Sequence, residues 1–192
     1  MADTDTSATG SPGAGDDVAH LTSALKVTED VIAGVRPEQT HLPTPCHDYD
    51  VTQLLDHLVG YANDFADKAN GSTPTADPAT VQAGDDPSGA YRAAAARLVE
   101  GYRGGPDSNA TPIGVVLMET VTHGWDLATA TGQPAPYPES AVQASLSIGQ
   151  GMLAPEYRGE GKPFGDEVTP PELSTTLARF IAFMGRDPNW SP

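Results

Sequence analysis

Only one of the 192 residues is a cysteine, Cys46. An internal disulfide framework is therefore excluded, and so is a zinc site built from several thiolates. Any bound metal must be held by histidine and carboxylate side chains. No run of about 18 apolar residues occurs, so no membrane-spanning helix is expected. Positive charge is scarce: 10 basic against 26 acidic residues leave a formal charge of −16. Such a surface repels phosphate backbones and anionic lipid headgroups, which argues against nucleic-acid and membrane partners and otherwise reads as a device for solubility. The opening Met1-Ala2-Asp3-Thr4-Asp5-Thr6 has neither the positive segment nor the apolar segment of a secretory signal, so a cytoplasmic location is expected. There is no alternating strand pattern, no Gly-rich phosphate loop after a strand, no Gly-x-Ser-x-Gly elbow and no internal repeat.

Helical periodicity is abundant, punctuated by proline and glycine. Residues 1–16 carry no apolar period and read as a disordered leader, leaving 17–192 as one domain. A first helix is expected from Asp16 or Asp17, with Val18, Leu21, Leu25, Thr28 and Ile32 on its inner face and Gly34 and Pro37 at its end. Proline-rich residues 36–49 connect it to a second helix. There Asp50 and Gln53 fit a reciprocal capping box, and Val51, Leu54, Leu55, Leu58, Ala62 and Phe65 make a broad apolar face. Residues 70–87 form a long Gly/Pro/Thr/Asp loop, read as a flap over a site or a loose segment. Ser88 is the expected cap of a third helix from about Ala90 to Tyr102. Thr111 and Pro112 read as N-cap and first residue of a fourth, stopped by Gly132 and Pro134. Shorter helices follow, from Ser140 to about Leu153 and over Leu173 to Met184. Phe164 and Val168 are expected anchors of the segment between them. The fold class is all-α: an antiparallel four-helix bundle with additional C-terminal helices.

One stretch carries chemistry: Glu119-Thr120-Val121-Thr122-His123-Gly124-Trp125-Asp126. On a helix, Glu119 and His123 leave the same face one turn apart, along the edge of an apolar stripe. A carboxylate and an imidazole so placed can grip a metal ion, and Asp126 can orient the imidazole or serve as a polar residue near the helix end. His57, within the apolar stripe of the second helix, is the candidate third ligand; taken alone it also fits a hydrogen-bonded core histidine. Cys46 stands roughly three helical turns before His57, too far to share a metal unless its loop folds back, and reads as a packed thiol. His47 is an alternative ligand placed on the loop surface. Trp125 reads as pocket lining or core, His20 as a boundary residue, and Arg158 and Lys162 as receptors for a substrate carboxylate or as solvated loop cations.

The segment Pro43-Thr44-Pro45-Cys46-His47-Asp48-Tyr49-Asp50-Val51, then Leu54-Leu55-Asp56-His57-Leu58-Val59-Gly60, resembles the opening signature of the DinB-like metal-binding families. It is most like the actinobacterial group related to the N-terminal domain of mycothiol-dependent maleylpyruvate isomerase. The run from Glu119 through His123-Gly124-Trp125-Asp126-Leu127-Ala128, the segment Phe164-Gly165-Asp166-Glu167-Val168 and the closing Phe180 to Pro188 fit the same group. The likeness extends from about residue 17 to the end, with one departure: Tyr49 stands where the group usually has Trp. It implies metal ligation by His57, Glu119 and His123. It also implies a divalent cofactor, zinc first, with nickel, iron or manganese as alternatives, and mycothiol or another low-molecular-weight thiol as co-substrate. The implied activity is thiol-dependent isomerisation or S-transfer on a small electrophile. The alternative is a non-catalytic metal- or ligand-binding bundle with a stress or sensory role; a homodimer is left open.

Overall fold

Where apolar residues recur every three to four positions, the chain is helical. The computed structural model describes residues 14–162 and 164–191. These form α1 (Ala14–Ala33), α2 (Val51–Ala69), α3 (Pro87–Gly104), α4 (Ile113–Thr131), α5 (Glu139–Met152) and α6 (Thr176–Phe183). Single 3-10 turns lie at Pro37–Gln39, Pro78–Thr80 and Pro155–Tyr157, and the described residues contain no strand. No described helix is long and apolar enough to cross a membrane.

The helix boundaries follow local chemistry. At α2, Asp50 Oδ1 accepts from Gln53 N at 2.9 Å while Gln53 Oε1 accepts from Asp50 N at 2.9 Å, the reciprocal box expected there. α4 ends in Gly132 at φ 68°, ψ 27°, a left-handed cap that costs glycine little. Other boundaries differ from expectation. Residues 1–13 of the expected leader lie outside the described residues, and 14–16 already belong to α1. α3 is capped by Asp86, whose Oδ1 accepts from Gly89 N at 2.9 Å; Ser88 lies inside the helix and Pro87 takes its first position. At α4, Pro112 itself is the cap residue, at ψ 131°, and no side chain caps the helix. The last helix starts at Thr176, after a Thr175 cap, and Leu173 is fully exposed at φ 60°. Its spacing from Leu177 mimicked one more helical turn, but the Thr175 cap starts the helix after it.

α1 packs on α3 and α4, and α2 on the same pair; α5 and α6 extend the layer beyond α4. Leu21, Leu25, Leu54, Leu58, Leu98, Leu117 and Val121 fill the space between. Each side chain of this size contributes about 1.5–3 kcal/mol when fully buried. The direction of the helices comes from cross-contacts. Glu29 near the end of α1 meets Arg92 near the start of α3. His57 early in α2 meets Glu119 and His123, while Phe65 late in α2 and Val115 early in α4 line the same cleft. Both pairs are therefore antiparallel. α2 and α3 run in the same sense, because Arg97 bonds Asn63 and Asp67, and a Cβ added at Gly101 would lie 2.9 Å from the Ala69 Cβ. Residues 70–86 make this possible by returning along α2. There Ala83 N donates to Asp56 Oδ1 at 2.7 Å, and the Pro78 carbonyl sits over Gly60. The long loop is thus a crossover tied to the bundle.

Candidate metal centre

His57 stands two turns into α2; Glu119 and His123 stand one turn apart on α4, which faces it in the opposite sense. Their donor atoms converge. Glu119 Oε1 lies 2.8 Å from His57 Nε2 and 3.3 Å from His123 Nε2. One donor atom from each of the three residues lies within 4.8 Å of the other two. The imidazoles are held in place by packing. The His57 ring lies 4.9 Å from Tyr49, 4.4 Å from Tyr61 and 4.5 Å from His123, centroid to centroid. Tyr61 is one turn after His57 on α2, so the stack is built partly by helical spacing.

The other edge of His123 is also occupied. Its Nδ1–H donates to Asp126 Oδ2 at 3.1 Å, and Asp126 is fully buried. Arg186, just after α6, reaches the same carboxylate with Nη2 at 3.2 Å and Nε at 3.4 Å. Its Nη1 donates to the Met184 carbonyl at 2.9 Å. Asp126 therefore does orient the imidazole, as one of its two sequence readings had it. Arg186 went unnoticed in the sequence as a site residue. The signal was there: it is one of only 10 basic residues and follows directly on the last helix.

The electrostatics follow from these bonds. Burial disfavours the Glu119 carboxylate, but His123 and His57 outweigh it and hold the group well below the ordinary carboxylate range. Burial likewise disfavours a charged His123; Glu119 and Asp126 overcome it and push the imidazole up to about 9. Carboxylates accept and do not donate. An imidazole between two of them is therefore protonated at both nitrogens, and His57 Nε2 carries a hydrogen toward Glu119. Nitrogen, oxygen and nitrogen donors held together by shared protons form a set that a divalent cation fits, since it replaces those protons with one charge.

These residues lie at a cleft of about 650 Å³, within the range of roughly 300–1,000 Å³ common for small-molecule sites. Tyr49, Tyr61 and Phe65 line one side, and Lys162, Phe164, Met184 and Arg186 are among the residues lining the rest. Cys46 also lines it, because its loop folds back. Thr44 Oγ1 lies 2.9 Å from the Cys46 carbonyl and 2.8 Å from that of Tyr49, and Tyr49 N donates to the Cys46 carbonyl at 3.1 Å. The thiol is buried, and desolvation pushes it up to about 11. It falls within 4.8 Å of donor atoms of His123 and Asp126, outside the set of His57, Glu119 and His123. His47 is exposed at the rim and belongs to neither set. Trp125 packs against the core. Arg158 is not a solvated cation: its side chain is 7% exposed, stacks 4.4 Å over the Phe183 ring and donates to the Gly165 and Phe183 carbonyls. Lys162 is exposed at the rim.

Bundle and donor set together define a DinB-like helical protein, and comparison with known sequences places it. The model of the mycothiol maleylpyruvate isomerase N-terminal domain matches residues 21–98, which include His57, while Glu119 and His123 lie beyond the match. An uncharacterized protein of Mycobacterium tuberculosis, found in strains CDC 1551 / Oshkosh and ATCC 25618 / H37Rv, is 34% identical over 169 residues. The match covers 81% of this chain and 90% of the relative. The chain belongs to the same family as this relative, and its residues 21–98 match the mycothiol maleylpyruvate isomerase N-terminal domain. No solved structure matches it.

Proposed function

We propose that the protein binds one divalent ion, zinc by preference, through His57, Glu119 and His123, and uses it with a low-molecular-weight thiol of the mycothiol type. The reaction class is isomerisation or S-transfer on a small electrophile. The observation that carries this reading is the convergence of three donor atoms within 4.8 Å, from two helices, at a cleft wide enough for a small molecule. A bound divalent cation would supply a Lewis acid able to hold a thiol as its thiolate. The chain supplies the rest. Glu119 and the two imidazoles provide the ligands, Asp126 fixes the ring plane of His123, and Tyr49 and Tyr61 hold His57 between them. Mounting on helices keeps the set rigid.

The test is metal analysis of untagged protein. Wild type is expected to hold about one ion per chain after exposure to zinc, and His123→Ala and His57→Ala to lose most of it. Equal, low metal in wild type and His123→Ala sinks the reading. Turnover of maleylpyruvate-like or epoxide-like electrophiles that depends on both metal and added thiol supports the enzyme. Metal without turnover for any thiol and electrophile pair supports the non-catalytic bundle.

A further inference from the structure

His123 belongs to two donor sets at once. Its Nε2 edge faces Glu119 and, with His57, makes the nitrogen–oxygen–nitrogen set described above. Its Nδ1 edge faces Asp126 and, with Cys46, makes a second set of sulfur, nitrogen and oxygen donors within 4.8 Å of one another, all three residues buried. By softness alone the thiolate set is the stronger trap for zinc. It would also be the wrong one for chemistry, since it draws the ion away from His57 and Glu119.

We propose that Arg186 decides between the two sets: its guanidinium occupies the cation position of the Cys46–His123–Asp126 set and so confines a divalent ion to His57, Glu119 and His123. This rests on the metal-binding reading above. Both Asp126 oxygens already accept from Arg186, at 3.4 Å and 3.2 Å. The guanidinium keeps its charge at any ordinary pH. It cannot readily swing away, because Nη1 is tied to the Met184 carbonyl and its own backbone N donates to the Ile181 carbonyl at 3.0 Å. A divalent ion on Asp126 would sit against this fixed positive charge in a site shielded from water. With Arg186 in place, Asp126 serves only to orient His123, and Cys46 stays a protonated thiol in the cleft wall. Arg186 is thus a positioning residue that acts through Asp126.

Cobalt(II) reports the outcome, because a thiolate ligand gives it an intense near-ultraviolet charge-transfer band that nitrogen and oxygen ligands do not. Wild type loaded with cobalt is expected to lack the band. Arg186→Gln is expected to show it, Arg186→Gln with Cys46→Ser to lose it again, and Arg186→Lys, which keeps the charge, to remain silent. Cys46→Ser alone is expected to leave cobalt affinity within about twofold of wild type, below the roughly 10- to 100-fold cost of disturbing a supporting contact. That measurement needs no change at Arg186, so it stands even if Arg186→Gln folds poorly. A thiolate band in wild type, a cobalt-loaded and folded Arg186→Gln without one, or a tenfold loss of affinity in Cys46→Ser overturns the proposal. No cobalt uptake by wild type overturns the metal centre itself, and this inference with it.

Discussion

Replacing Asp126 with Asn removes one charge and almost no volume, and it should be among the most damaging single changes in the chain. Asp126 is fully buried and accepts from His123 Nδ1 and from two nitrogens of Arg186, whose side chain is 13% exposed. Every neighbour of this carboxylate is a donor. An amide has only one acceptor oxygen, and its NH2 group must point at another donor. The substitution also leaves the Arg186 guanidinium without its counter-charge. Breaking a buried pair in this way costs about 3–5 kcal/mol. For a domain of this size, 1 kcal/mol moves Tm by roughly 2–4 °C, so metal-free Asp126→Asn should melt about 6–20 °C below wild type. Zinc affinity should also fall, by roughly 10- to 100-fold, because His123 loses the bond that fixes its ring. Thermal melts with and without zinc measure both. Adding Arg186→Met removes the orphaned charge and should restore part of the stability but none of the affinity. A melting shift below about 2 °C in Asp126→Asn would refute the reasoning, and so would recovery of zinc affinity in the double variant.

Two further outcomes are expected. In the metal-free protein His123 is raised to about 9 and so holds a proton at pH 7 that ligation must expel; zinc affinity should then fall about tenfold per pH unit below that value, with about one proton released per ion. Calorimetry at pH 7 in buffers of different ionisation enthalpy reads the release, and a binding heat that ignores the buffer contradicts it. At Gly124, an added Cβ would lie 1.9 Å from the Tyr137 hydroxyl and 2.5 Å from Thr28 Oγ1, between two side chains that hydrogen-bond to each other at 2.8 Å. Gly124→Ala should cost about 1–3 kcal/mol by overpacking the α1–α4 contact, and a denaturation midpoint unchanged from wild type would contradict this.

What was legible in the sequence was what local rules control. The Asp50–Gln53 box and the Gly132 stop depend on a few neighbouring residues, and both formed as read. The placement of Glu119 and His123 on one face needs only the helical repeat. Helix direction does not. Apolar spacing says which face is buried but not which way the neighbour runs, so the same-sense pairing of α2 with α3 appeared only with the path of residues 70–86. Distance along the chain misled for Cys46, because Thr44 pins its loop back toward α4. Loop composition misled for Arg158. A cation in a glycine-rich loop reads as solvated, yet the Phe183 ring and the Phe183 and Gly165 carbonyls bury it. Arg186 was hidden by distance along the chain: its partner Asp126 lies 60 residues away in sequence.

The charges around His123 link the site to its proposed co-substrate. Glu119 and Asp126 bring two negative charges, while Arg186 and doubly protonated His123 bring two positive ones, so these four groups sum to zero. Exchange of the His123 proton for a divalent cation would raise the sum to one positive charge. A neutral electrophile leaves that charge unbalanced in a site where solvent screening is weak, whereas a thiolate cancels it. The chain as a whole carries a large negative excess, with 26 acidic against 10 basic residues, and does nothing to draw an anion in from bulk water. Under the proposed function, a thiol that is neutral in bulk water and releases its proton to solvent at the cleft mouth would meet both conditions. It would cross the acidic surface uncharged, and as the thiolate it would balance the one positive charge that Arg186 and a bound cation would leave.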